Sequence, residues 1–162
     1  MPPSLSFAEA LKAAAAVEEA GMAFYRAAAE RAWNPAAAEV FRGLLAYEEK
    51  HRDYFAAFQK RASAGSALPA SERDAETARD LAGLARDGVF PLKGGVPAFF
   101  NGSETPAQAV KAAIALEKDS IIFYLGLEKA MANREEALKV REIIDEEMRH
   151  IAVLTALLKQ LN

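Results

Sequence analysis

Glu48 and His51 stand three residues apart, and so do Glu147 and His150, one repeat of 99 residues later. These are the two histidines of the 162-residue chain. Carboxylate and imidazole are oxygen and nitrogen ligands suited to divalent transition metals. A spacing of three places both side chains of each pair on one helix face. Glu18 and Glu117 hold the same 99-residue relation. Four carboxylates gathered in a core would repel one another and lose their hydration, so some would stay protonated. Two divalent cations set four positive charges against four negative ones and remove that conflict. The six residues therefore read as a dinuclear metal site for two iron ions, with manganese or zinc as alternatives.

The elements that must position them come from the same repeat. With the 99-residue shift Ser6 falls on Thr105, Lys12 on Lys111, Phe24 and Tyr25 on Phe123 and Tyr124, Asn34 on Asn133, Arg42 on Arg141 and Lys60 on Lys159, without a gap. The chain is one unit written twice, 6–61 and 105–160, around a different middle segment, 62–104. Each unit predicts a helical hairpin. Ser6 with Glu9 and Thr105 with Gln108 have the spacing of capping boxes, Pro106 suits a first helical position, and Asn34 and Asn133 restart a helix after a turn. Apolar residues recur at three and four between these marks. The expected fold is all-α: a four-helix bundle of two repeated hairpins in a single domain, 1–162, joined by a long crossover. Within the crossover, Ser71 and Asp74 predict a short helix ending near Gly88. The stretch VFPLKGGVPAFFNG is expected to be irregular, with its phenylalanines docked on the bundle.

Spacing alone sets the height of the site. Glu18 lies 16 residues before Asn34, and Glu48 and His51 lie 14 and 17 after it. Both arms of an antiparallel hairpin rise 1.5 Å per residue, so all three side chains reach one level, ~20–25 Å from the turn. The second copy repeats this around Asn133. One Glu from each of two helices, with Glu-x-x-His from the other two, is the ligand set of dinuclear carboxylate bundles.

The repeat also sorts the remaining acids. Glu19 falls on Lys118, Glu49 on Met148 and Glu146 on Tyr47, so these three read as surface carboxylates; Glu128 falls on Ala29 and is left out, and Asp119 reads as exposed, with orienting a ligand as the alternative. Tyr25 and Tyr124 follow Glu18 and Glu117 by two turns. Their hydroxyls can bond a ligand carboxylate from behind or a partner elsewhere in the core, and the sequence does not choose.

On Glu18, Glu48-x-x-His51, Glu117, Glu147-x-x-His150 and the aromatic pairs 24–25 and 123–124, the chain resembles the ferritin-like superfamily, and within it the rubrerythrin-type diiron proteins. The resemblance covers both hairpins. It implies that Glu48 and Glu147 bridge two irons, that Glu18 and Glu117 are terminal ligands, and that His51 and His150 bind one metal each. Two departures stand out. Rubrerythrins carry a further glutamate where this chain has Gly21 and Ser120, and they carry a cysteine-ligated iron domain, whereas this chain has no cysteine.

A net charge of −3 leaves no electrostatic footprint for nucleic acid or an anionic membrane. No apolar run approaches the ~20 residues of a membrane span, and the start, MPPSLSF, lacks a basic signal region, so a cytoplasmic protein is expected. The absence of cysteine excludes thiolate metal sites and cysteine nucleophiles in the chain. The expected function is a nonheme diiron oxidoreductase acting on hydrogen peroxide or dioxygen. An external protein would donate electrons, and a homodimer is the expected assembly. The alternatives are iron handling, by ferrous oxidation and storage, and a helical bundle that holds metal for stability without redox turnover.

Overall fold

The computed structural model describes residues 7–63, 95–131 and 133–161. Among them are four long helices, α1 (Phe7–Glu30), α2 (Pro35–Ser63), α4 (Pro106–Ala130) and α5 (Arg134–Lys159), and one short helix, α3 (Gly95–Phe99). The described residues form no strand, and the architecture is an all-α bundle.

The helix starts follow their side chains. Asn34 Oδ1 accepts from the Ala37 amide at 2.8 Å, and Asn133 Oδ1 accepts from Glu135 and Glu136 at 2.8 and 3.3 Å. Thr105 and Gln108 close a capping box ahead of Pro106, each side chain accepting from the other's backbone amide. Gly102, at a φ of 91°, supplies the left-handed turn before this cap. Ser6 and the short helix predicted between Ser71 and Gly88 lie outside the described residues.

The packing shows how the hairpins meet. The first part of α1, from Ala10 to Val17, packs with Phe55 and Phe58 of α2, with Phe123 to Leu127 near the end of α4, and with the start of α5. At the other end Phe24, Tyr25 and Phe41 pack with Ala109 to Leu116 and with Leu154 and Leu157. α1 and α4 thus run antiparallel, and the turn of one hairpin lies beside the open end of the other. Ala62 packs at the first end and Phe100 at the second. The connection between the hairpins therefore starts at one end of the bundle and finishes at the other, as a crossover must.

One expectation is corrected here. The stretch before Asn101 is not wholly irregular, because Gly95–Phe99 forms a turn of helix whose Val96 carbonyl accepts from the Phe100 amide at 3.0 Å. Pro97 falls in the first turn, where a helix needs no amide donor. Burial holds the turn in place: Phe99 and Phe100 pack on Phe24 with ring centroids 5.8 and 5.0 Å away.

Candidate metal centre

Between the two apolar ends, at mid-height, Glu18, Glu48, His51, Glu117, Glu147 and His150 are all buried. They form two overlapping groups. Glu18, Glu48, His51 and Glu147 make one, and Glu48, Glu117, Glu147 and His150 the other, with one potential ligand atom per residue all within 4.8 Å of one another in each. Glu48 and Glu147 belong to both.

Glu147 stands between the imidazoles. Its Oε1 lies 3.1 Å from His51 Nδ1 and its Oε2 lies 2.7 Å from His150 Nδ1. Glu18 Oε2 lies 3.7 Å from His51 Nδ1, and Glu117 Oε1 3.4 Å from His150 Nδ1. Despite these approaches both Nδ1 atoms, both oxygens of Glu147, Glu18 Oε2 and Glu48 Oε1 are buried without a hydrogen-bond partner. Buried polar atoms are normally satisfied. Unsatisfied polar atoms converging from five of the six residues form an oxygen and nitrogen donor set that suits two divalent cations.

The electrostatics agree. Burial pushes Glu117 up to about 8 despite its contact with His150, and burial also raises Glu18 and, far more, Glu48, which faces Glu18, Glu117 and Glu147 as well. Glu147 is the exception. Burial works to raise it, but His150 and His51 outweigh burial and hold it at about 2. The imidazoles answer in kind: burial would lower both, yet Glu147 and Glu18 lift His51 to about 11, and Glu117 and Glu147 lift His150 to about 9. Without metal, the cluster balances its charge by holding protons.

The tyrosines bond the ligand carboxylates, and they do so across the repeat. The Tyr25 hydroxyl donates to Glu117 and the Tyr124 hydroxyl to Glu18. Helical side chains lean toward their own N-terminus. In antiparallel α1 and α4, Glu117 therefore leans toward Tyr25, while Glu18 leans away from it.

Gly21 borders the cluster from α1. A Cβ there would lie 2.2 Å from Glu48 Oε2 and 3.1 Å from its Cδ, so the glycine makes room for this carboxylate. At the matching position Ser120 is buried and turns its hydroxyl to the Leu116 carbonyl, 3.0 Å away.

Among the acids set aside by the repeat, Glu19 and Glu49 are exposed and Glu128 pairs with Arg141 at 2.6 Å. Asp119 is half-buried rather than exposed, and burial raises its pKa, but it joins neither group. Glu146 is one-third exposed, as a residue near the surface, yet it also reaches a histidine of the cluster. Its Oε2 lies 2.6 Å from His51 Nε2, on the side of the ring away from the cluster. The repeat hid it, because its counterpart Tyr47 is not an acid.

A ferritin-like domain model matches residues 6–160. The chain belongs to the ferritin-like domain family. No curated protein matches it. Among solved structures, a Thermotoga maritima protein whose description proposes a ferritin-like diiron-carboxylate identity is similar to this ferritin-like chain over 100% of both, with a TM-score of 0.70 and 22% identity. At that identity the likeness speaks for the fold.

Proposed function

We propose that this ferritin-like protein is a rubrerythrin-like nonheme diiron oxidoreductase that reduces hydrogen peroxide or dioxygen. The observation that carries the proposal is the pair of overlapping groups that share Glu48 and Glu147 and leave their donor atoms unsatisfied. The first ion would be held by Glu18 and His51, the second by Glu117 and His150, with Glu48 and Glu147 between them. Two irons passing from ferrous to ferric would supply the two electrons that reduce peroxide to water, and an external donor protein would return them.

The chain's own residues contribute positioning and proton control. Tyr25 and Tyr124 hold Glu117 and Glu18 in orientation. Apolar packing above and below excludes water from the cluster. Protons held by Glu117, His51 and His150 leave when metal arrives, so affinity rises with pH.

The test is anaerobic loading with ferrous iron, then mixing with hydrogen peroxide or dioxygen while ferric absorbance is recorded. The expected result is fast oxidation by peroxide that saturates at two irons per chain, with repeated turnover once a reductant is added. Slow or absent oxidation by both oxidants would overturn the redox reading and leave a metal-stabilised bundle.

A further inference from the structure

The two halves of the cluster repeat each other, but the residues behind the imidazoles do not. His51 Nε2 has the carboxylate of Glu146 at 2.6 Å. Behind His150 the corresponding residue is Tyr47, whose ring meets the imidazole edge-on, with centroids 5.1 Å apart. His150 Nε2 is buried without a hydrogen-bond partner.

A cavity of about 390 Å³ opens beside His150, lined by Val40, Gly43, Tyr47, Arg149 and Val153 and reaching Glu146. A Cβ on Gly43 would touch nothing within 4 Å. In the repeat, Gly43 and Val153 correspond to Glu142 and Tyr54. Both replacements are larger, and Tyr54 packs against Phe55 and Phe58 with centroids 5.5 and 6.0 Å away.

A carboxylate accepting from the outer N–H of a ligand histidine fixes its tautomer, holds the ring and makes the inner nitrogen a stronger donor. His51 has this support and His150 has none. We propose that the two metal positions are unequal and that Glu146, as a positioning residue, sets the difference: the ion at His51 is retained, and the ion at His150 is the one that exchanges. This rests on the dinuclear reading above.

The test uses the full chain loaded with cobalt(II), whose visible absorption reports coordination, and follows its release to excess EDTA. The unaltered chain is expected to release cobalt in two phases of equal amplitude, with rates about 10-fold or more apart. Glu146→Tyr, which copies the other repeat, should speed the slow phase toward the fast one. Tyr47→Glu should slow the fast phase, and Glu146→Gln, whose amide oxygen still accepts, should fall between Glu146→Tyr and the unaltered chain. A single phase in the unaltered chain, or two phases that neither Glu146→Tyr nor Tyr47→Glu moves, overturns the proposal. Should Glu146→Tyr lose its helical signal, Tyr47→Glu, at an exposed position, decides alone. Binding of fewer than two cobalt ions per chain is a different outcome and sinks the dinuclear reading itself.

Discussion

The Tyr25 hydroxyl bonds Glu117 of the opposite repeat, not Glu18 two turns behind it on its own helix. With its twin from Tyr124 to Glu18, this bond ties the first hairpin to the second at the height of the cluster. Tyr25→Phe removes a buried donor and leaves a buried carboxyl short of a partner. The expected loss in the metal-free protein is about 1–3 kcal/mol, read from urea unfolding. Metal affinity should fall as well, because the tyrosine bond favours the ionised form of Glu117. Unchanged stability and affinity together would mean that the bond carries neither role.

Gly21 separates helix stability from metal binding. Alanine is the better helix former by about 1 kcal/mol, so Gly21→Ala should leave the metal-free protein as stable as before or slightly more so. Its Cβ would fall 2.2 Å from Glu48 Oε2, and the carboxylate must move away. The expected variant folds normally and binds metal more weakly. Calorimetric titration with ferrous iron under argon measures the second effect and thermal unfolding the first. Full affinity in Gly21→Ala would show that Glu48 needs no such space.

Rising pH should weaken the metal-free protein and strengthen its hold on metal. Glu117 is raised to about 8, His150 to about 9 and His51 to about 11. Groups raised on folding contribute stability below their unfolded values, and lose it as pH rises through the folded ones. Glu147, lowered to about 2, contributes above its ordinary value and loses its share only as pH falls toward 2. Metal-free protein should therefore lose stability from about pH 4.5, where Glu117 ordinarily titrates, up to about pH 11, where His51 gives up its proton. Metal competes with the protons on Glu117, His150 and His51, so its binding strengthens over that window. The gap in Tm between loaded and metal-free protein should widen as pH rises, and a constant gap would count against proton displacement from these groups.

Much of this was legible in the sequence because the chain states it twice. The 99-residue shift picked out Glu18, Glu48, His51 and their twins, and counting from Asn34 and Asn133 put them at one height before any packing was known. The same filter was blind to what the copies do not share. Glu146 fails that filter because its twin is Tyr47, yet the close approach of α2 and α5 brings it to His51 Nε2. The crossed tyrosine bonds depend on the antiparallel setting of α1 and α4, which no spacing within one hairpin encodes. The turn of helix at Gly95–Phe99 was masked by its glycine and proline, and its stability comes from two rings buried on Phe24.

Glu48 and Glu147, the two glutamates common to both groups, are twins in sequence and opposites in charge. Glu147 contacts both imidazoles and is held ionised, whereas burial and then three neighbouring carboxylates push Glu48 strongly toward its protonated form. Neutral, nearly isosteric glutamine should therefore act differently at the two sites. In Glu147→Gln the imidazoles lose the anion between them, and breaking such a buried pair costs about 3–5 kcal/mol. In Glu48→Gln the metal-free protein keeps the charge it already has and should unfold within about 1 kcal/mol of the unaltered chain, the range of a changed hydrogen bond. Both variants lose a shared carboxylate and should hold two cobalt ions poorly. Urea unfolding of the metal-free proteins at neutral pH separates the cases. Equal losses at the two positions would mean that the cluster shares its protons evenly and that Glu147 has no special place between the histidines.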